Sequence, residues 1–369
     1  MMNHVGESGK NGQVGSSNSH ARHSVEGAKR ILIRGVNWVG DTVLSYPAVQ
    51  WVRLLFPQSH LAILVPAHLT ELWSTVPYVD EIIPFHPGRG LRSLWEDLAL
   101  SRSIRQKGFD LAIILPRSVH SAIVPYLARI PIRTGYGQPG RSLLLTHRIP
   151  RDQSVLTCHR IDYYGRLVAP LGHLSGSHTP QLSLRDEDRQ WAENRLQREN
   201  VLDGRILIGM NPGATYGLAK CWSPRRFGEL GERLAQRRRL SVLLFGKEEE
   251  RSIGSDIFHR LQGIGIDLMG KTGLLQLAAL LEKCHLLVTN DTGTMHVAAA
   301  VGTPVVALFG PTNPQTTGPC GEGHRIIKKN VSCSPCYQRV CPTDHRCMEG
   351  ISVDEVEEIV NGRIREIQP

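Results

Sequence analysis

From residue 30 onward, short apolar runs alternate with longer stretches of helical period. Residues 31–33 are apolar and end at Arg34-Gly35; apolar side chains then recur at a helical period over 42–56 and stop at Pro57. Runs at 61–66, 81–85 and 110–116 read as further strands, with helical patterns over 91–107 and 119–128. Residues 135–151, rich in Gly and Arg, read as loops and a short strand, and 155–171 as one helix. A Gly/Ser/Pro-rich linker at 172–180 separates a second series. It holds a helix over 187–199, strands at 205–211, 240–245, 267–270 and 324–328, and helices after 224 and over 274–283. Residues 286–312 read as strand, polar turn, small-residue helix and strand. A last helix at 352–367 starts with Ser352 as N-cap and Glu355 at the capping-box position. Strands alternating with helices argue for parallel sheets. The pattern predicts two α/β domains, 30–175 and 181–350, then a C-terminal helix, 352–369.

Composition and charge change this picture at three points. Residues 1–29, rich in Gly, Ser, Asn and His, lack an apolar core; they read as a disordered tail and not as a secretory signal. No apolar run approaches the roughly 20 residues that span a bilayer, which points to the cytoplasm and to reduced thiols for the eight cysteines. The net charge of +9 is uneven: residues 30–180 hold sixteen Lys and Arg against nine Asp and Glu. That +7 half implies an anionic partner, whether nucleic acid, a phospholipid surface or an acidic substrate.

The stretch 286–312 is the one around which the chain is organised. Its turn, Asn290-Asp291-Thr292-Gly293, ends a strand, and in open α/β sheets the carboxyl ends of strands border the ligand crevice. A helix starting there aims backbone N–H groups at an anion, with Asp291 and His296 as the chemistry-bearing side chains. In the loop 211–220, Thr215 and Lys220 offer a hydroxyl and an ammonium to a diphosphate; turn geometry alone is the rival reading of its Pro-Gly pair. Asp41 opens the first helix, either as a carboxylate favoured by the dipole or as a general base for a hydroxyl in the cleft. Glu248, Glu249 and Glu250 open another helix, as dipole compensation or as ribose contacts. The first turn lacks G-x-G-x-x-G, which argues against a dinucleotide held there. Cys333, Cys336, Cys341 and Cys347 crowd four of the eight cysteines into fifteen residues. Their spacing suits a structural metal, zinc before an iron–sulfur cluster, with free thiols and disulfides as alternatives. Four thiolates would close the coordination sphere, so such a metal would not be catalytic.

Val36-Asn-Trp-Val-Gly-Asp41, Asn211-Pro-Gly-Ala-Thr215 with Lys220-Cys-Trp222, and Asp291-Thr-Gly-Thr-Met-His296 followed by Gly310-Pro-Thr312 together resemble glycosyltransferase family 9. Within it they look most like the type II ADP-heptose–lipopolysaccharide heptosyltransferases, with the motifs in family order across residues 30–365. The resemblance implies a GT-B fold: two Rossmann-like domains facing across a cleft, the last helix packing back on the first. It implies inverting transfer from ADP-L-glycero-D-manno-heptose, held by the C-terminal domain, to heptosyl-Kdo2-lipid A, held by the N-terminal domain. On this chain Asp41 matches the family's general base, Thr215 and Lys220 its diphosphate contacts, and Asp291, Thr292, Gly293 and His296 its donor turn. Glu248 or Glu249 would meet the ribose, and Thr272 would border the adenine. Catalysis would need no cofactor, and zinc in the knuckle would be structural. The enzyme would work in the cytoplasm at the inner membrane, its basic half facing lipid A phosphates and Kdo carboxylates. Readings kept beside this one are heptosyltransferase I, another nucleotide-sugar transferase of the same fold, and a nucleic-acid-binding protein with a zinc knuckle; the last is disfavoured because the knuckle holds few cations. The tail and the knuckle lie outside the motifs shared by the best-known members.

Overall fold

The computed structural model describes residues 25, 27–88, 92–173, 176, 178–201, 204–237 and 239–367. The tail expected at 1–29 lies almost wholly outside these residues, and the linker partly so.

Two all-parallel six-stranded sheets form the frame. The first comprises β1 (Arg30–Arg34), β2 (His60–Pro66), β3 (Glu81–Phe85), β4 (Leu111–Ile114), β5 (Ile132–Tyr136) and β6 (His147–Ile149), in the order β3-β2-β1-β4-β5-β6. The second comprises β7 (Ile206–Asn211), β8 (Leu240–Leu244), β9 (Gly265–Asp267), β10 (Leu286–Asn290), β11 (Val305–Phe309) and β12 (Arg325–Lys328), in the order β12-β11-β10-β7-β8-β9. Both run in the doubly wound Rossmann order, so each sheet reverses direction beside its first strand. The reversals fall between β1 and β4 and between β7 and β10. This is the GT-B arrangement expected from the sequence. Central strands such as 111–114 and 286–290 are buried throughout, as parallel strands covered on both faces must be.

The helices that bear on the site are α1 (Val39–Leu55), α2 (Thr70–Ser74), α3 (Arg92–Gln106), α4 (His120–Leu127), α5 (Arg160–Val168), α6 (Pro224–Arg237), α7 (Leu274–Lys283), α8 (Gly293–Ala300) and α9 (Val353–Ile367). The single helix expected at 155–171 is two, Gln153–Thr157 and α5, because each start has its own cap. Asp152 Oδ1 accepts from Val155 N at 3.0 Å, and His159 Nδ1 accepts from Ile161 N at 3.3 Å. The third strand of the second sheet is Gly265–Asp267, earlier than the expected 267–270.

The two domains share one apolar core. Helix α1 lies between α5 of its own domain and α8 of the other, and Val49, Trp51, Leu167, Leu280 and Val297 belong to the same buried cluster. Glu71, at the start of α2, reaches across: its Oε2 accepts from Leu274 N at 2.7 Å and Leu275 N at 3.3 Å, capping α7. The last helix differs from expectation. Instead of returning to the first domain, α9 packs on α6, β10 and β11 of the second. Its apolar stripe of Val353, Val356, Val360 and Ile364 is buried in the second domain's outer core, and Arg233 of α6 pairs with Asp354 at 2.5 Å.

Candidate functional site

The loops at the two switch points meet. From the first domain come the β1–α1 turn and the residues after β4; from the second come the loop after β7 and the turn after β10. Asn290 ties the latter pair together: its Nδ2 donates to Pro212 O at 2.7 Å and its Oδ1 accepts from Trp222 N at 3.0 Å. Asn211 Nδ2 donates to Thr294 Oγ1 at 2.5 Å and to Thr292 Oγ1 at 3.4 Å.

Asp291 is buried. Lys220 Nζ pairs with its Oδ2 at 2.5 Å and also donates to its backbone O at 3.3 Å, while Thr312 Oγ1 donates to Oδ2 at 2.7 Å. Asp291 and Lys220, expected separately in the donor turn and as a diphosphate contact, are therefore brought together, seventy-one residues apart in sequence. The carboxylate fixes the ammonium at the carboxyl end of β10, where it can hold developing phosphate charge. Thr292 caps α8 by accepting from Thr294 N at 3.2 Å, so that N–H is taken within the turn.

Asp41 sits in the first turn of α1, half-buried, and Tyr164 of α5 donates its hydroxyl to Oδ1 at 3.1 Å. Burial raises the Asp41 carboxyl above the usual range; the opposing pull of Arg160, the Tyr164 hydroxyl, Arg117 and Lys220 does not cancel it. Lys220 and Arg117 act on one carboxylate from opposite domains. The base expected from the first domain and the phosphate cation expected from the second thus share one cleft.

Two glycines make this meeting close. A Cβ on Gly40 would lie 2.7 Å from His296 Cδ2, and one on Gly293 would lie 2.8 Å from Val39 Cβ. The amino ends of α1 and α8 therefore abut. His296 is buried there, its Nδ1 has no hydrogen-bond partner, and burial drops its pKa to about 4. It is neutral at physiological pH. Gly293 and His296, expected to touch the donor, also lie in the seat between the two domains.

The remaining expected positions divide. Thr215 is exposed on the loop after β7. Thr272 is half-buried just before α7. Glu248 is exposed and paired with Arg251 at 2.9 Å, and Glu249 is exposed. It is Glu250 that turns inward: its Oε2 accepts from Lys247 N at 2.9 Å, and its carboxylate lies where a Cβ on Gly213 would overlap it. Among the three glutamates it alone leans on the Pro-Gly loop. Three identical side chains in a row gave no signal for choosing it.

The Cys knuckle lies over the same loop. Tyr216 Oη donates to Tyr337 O at 2.7 Å, Ala219 N donates to Arg339 O at 3.0 Å, and His345 Nε2 meets Ala219 O at 2.8 Å. Lys220 Nζ and the Arg339 guanidinium stand 5.0 and 5.3 Å from the centroid of the Tyr216 ring. Cys333, Cys336, Cys341 and Cys347 are free thiols, with Cys347 buried and the others at least partly accessible. Among the described residues no group of three or more His, Cys, Asp or Glu is placed to hold a metal ion. The four thiols expected as metal ligands nevertheless stand close enough for Cys333, Cys336 and Cys341 to act electrostatically on Cys347, and main-chain bonds such as Tyr337 N to Pro311 O at 2.8 Å hold the segment. Sequence reasoning missed Tyr164, Arg117, Arg160 and Arg339, since none stands in a motif that marks it, and it quoted Thr312 only as the end of Gly310-Pro-Thr312 without a role.

Comparison with known proteins follows the same lines. The family model for glycosyltransferase family 9 (heptosyltransferase) matches residues 98–346. Lipopolysaccharide heptosyltransferase 2 of Escherichia coli K12 is 33% identical over 310 residues, covering 81% of this chain and 88% of its own. The solved structure of E. coli ADP-heptose lps heptosyltransferase II superposes with a TM-score of 0.80 at 30% identity, covering 92% of this chain and 100% of the other. A family 9 glycosyl transferase from Veillonella parvula superposes with a TM-score of 0.81 at 25% identity, covering 92% and 97%.

Proposed function

The chain belongs to glycosyltransferase family 9, the heptosyltransferases, and from that premise we propose that it transfers L-glycero-D-manno-heptose from ADP-heptose to heptosyl-Kdo2-lipid A with inversion. The observation that carries this reading is the convergence of Asp41, from the first domain, with the Lys220–Asp291 pair, from the second. An inverting displacement needs a base on one face of the sugar and a held leaving group on the other. Asp41 takes the proton of the acceptor hydroxyl as that oxygen bonds to the anomeric carbon. The bond from that carbon to the diphosphate breaks, and ADP leaves with the electron pair. Lys220 and the backbone N–H groups around the β7 and β10 loops meet the charge gathering on it. Asp291 keeps Lys220 in place, and Tyr164 keeps Asp41 in place. Arg117 and Arg160 flank Asp41 from the acceptor side, where phosphate and Kdo carboxylate groups would approach. Thr215, Glu250 and Thr272 border the donor's diphosphate, ribose and adenine in this reading.

The relatives named heptosyltransferase 2 favour a heptosylated acceptor over the bare Kdo2-lipid A of a type I enzyme. Such an acceptor is anchored in the cytoplasmic leaflet of the inner membrane, and no described helix is long and apolar enough to cross a membrane. The enzyme would therefore meet it peripherally. Assay of ADP-, GDP- and UDP-sugars against lipopolysaccharide acceptors truncated before and after the first heptose tests the proposal. Turnover with ADP-heptose on the heptosylated acceptor alone is the expected result; preference for another nucleotide sugar, or for the acceptor lacking heptose, would overturn it.

A further inference from the structure

We infer that the groove between α3 and α4 is the face by which this protein rests on an anionic phospholipid bilayer. The inference deepens the membrane-anchored acceptor reading above but stands on different residues. The groove encloses about 550 Å³ on the first domain, remote from Asp41 in sequence and chemistry, and is walled by Leu98, Arg102, Arg105, Tyr126, Arg129 and Arg133. Trp95, Leu98, Arg102 and Arg105 recur every three or four residues and so form one stripe along α3. Trp95 is 73% exposed, and Leu94 beside it 58%. The stripe is thus apolar at its amino end and cationic toward its carboxyl end, with Tyr126 and Leu127 of α4 exposed along the same groove. Interfacial surfaces have this make-up: an aromatic that enters the headgroup layer beside cations that meet phosphate.

The cations are available for the role. Arg102, Arg105 and Arg129 are exposed, and Asp97, the buried acid of the helix, is already bonded to His120 at 2.8 Å. Arg133 is instead tied down, its guanidinium donating to Leu144 O at 2.7 Å and to Ile130 O and lying over the Tyr126 ring at 5.4 Å, so it adds charge to the wall without being free to move. Arg129 adds an independent sign. It follows the C-cap of α4 at φ +59°, a left-handed position that glycine adopts without cost and a residue bearing a Cβ does not. An arginine kept at a strained position, aimed into a groove of three other arginines, points to a use for its charge. The occupant is a row of phosphodiester headgroups, because the groove is open to solvent and shares its α3 stripe with exposed Trp95 rather than closing around a single anion.

The full-length protein should co-sediment with vesicles of mixed phosphatidylcholine and phosphatidylglycerol, less so at high salt, and little with phosphatidylcholine alone. Arg129→Gly suits the strained φ and so preserves the fold, which an unchanged or higher melting temperature checks. It should lower partitioning about fivefold, the value of one basic residue at an anionic surface, and Arg102→Glu with Arg105→Glu should lower it on the order of 25-fold or more. Trp95→Ala should lower it in both salt regimes. All these variants should keep wild-type transfer to a soluble, deacylated acceptor. Equal binding to both vesicle types, or arginine variants that sediment like the wild type, would overturn the inference. Failure of the wild type to use any heptose donor on the soluble acceptor would instead strike the proposed function and leave the vesicle results readable.

Discussion

Asp41 shows how a single side chain is tuned by what surrounds it. Its raised carboxyl is the result of burial winning over three cations and one hydroxyl. The acid limb of the rate should therefore lie above the ordinary aspartate range, with activity lost as the pH falls through the raised value and Asp41 protonates. Tyr164 Oη donates to the charged form, so Tyr164→Phe should move that limb to still higher pH, with kcat at neutral pH falling roughly tenfold; a pH–rate profile decides. Lys220→Ala should weaken ADP binding by at least about tenfold, the scale of a lost charge-assisted bond, as titration calorimetry would show. His296 gives a prediction about stability. Its folded pKa of about 4 lies below the unfolded value, so stability is intact above about 6.5 and drains as the pH falls toward 4. The loss from this residue alone amounts to about 3 kcal/mol over that window, read by urea melts at a series of pH values. The motif residues at this scale were legible because they fall in short polar turns, such as Gly40-Asp41 and Asp291-Thr292-Gly293, that interrupt a periodic pattern. Tyr164 and Glu250 lie among helical residues and Arg117 follows a strand-ending proline without a motif of its own, so only folding shows what they face.

Among the elements, α1 and α8 matter most, since their abutting amino ends seat one domain on the other. Gly40→Ala should cost roughly 1 to 3 kcal/mol, the usual range for overpacking, and reduce transfer more than it reduces ADP binding, because the Cβ would push against His296 and spread the cleft. Thermal melts and ADP titration separate the two effects. The knuckle acts as a seat for the Tyr216–Lys220 loop, held by backbone bonds. If the four thiolates also hold a metal, chelation should release about one zinc per chain and lower the melting temperature by several degrees, while an unchanged melting temperature with four titratable thiols would leave the seat to these bonds alone. Most elements were readable in advance: nine of the twelve described strands fall on the expected apolar runs with glycine, proline or polar breaks at their ends, and β9 only touches its expected range. β5 and β6 were harder because Ile132–Tyr136 and His147–Ile149 lie toward the sheet edge and mix Arg, Thr and His into short strands. The break at Cys158–His159 escaped periodicity because a histidine ring supplies the cap. The site of α9 escaped it too: an amphipathic stripe shows that a helix packs, not on which domain.

As a whole molecule, the chain is two Rossmann halves that share a core and, in the proposed reaction, supply the base and the leaving-group contacts separately. The repetition of strand–loop–helix units made the halves legible, and the uneven charge marked the first as the one that meets an anion. Their closeness was not legible, because Asp41 and Asp291 are separated by two hundred and fifty positions and meet only through the packing of α1 on α8. The division of labour is the central claim, and Asp41→Asn tests it most directly. Transfer of heptose from ADP-heptose to heptosyl-Kdo2-lipid A should fall by roughly 10² to 10⁴, the share of a general base, while the Kd for ADP stays within about twofold of wild type because the donor is held by the other domain. Near-wild-type turnover in Asp41→Asn, or a loss of ADP binding that matches the loss of rate, would contradict it.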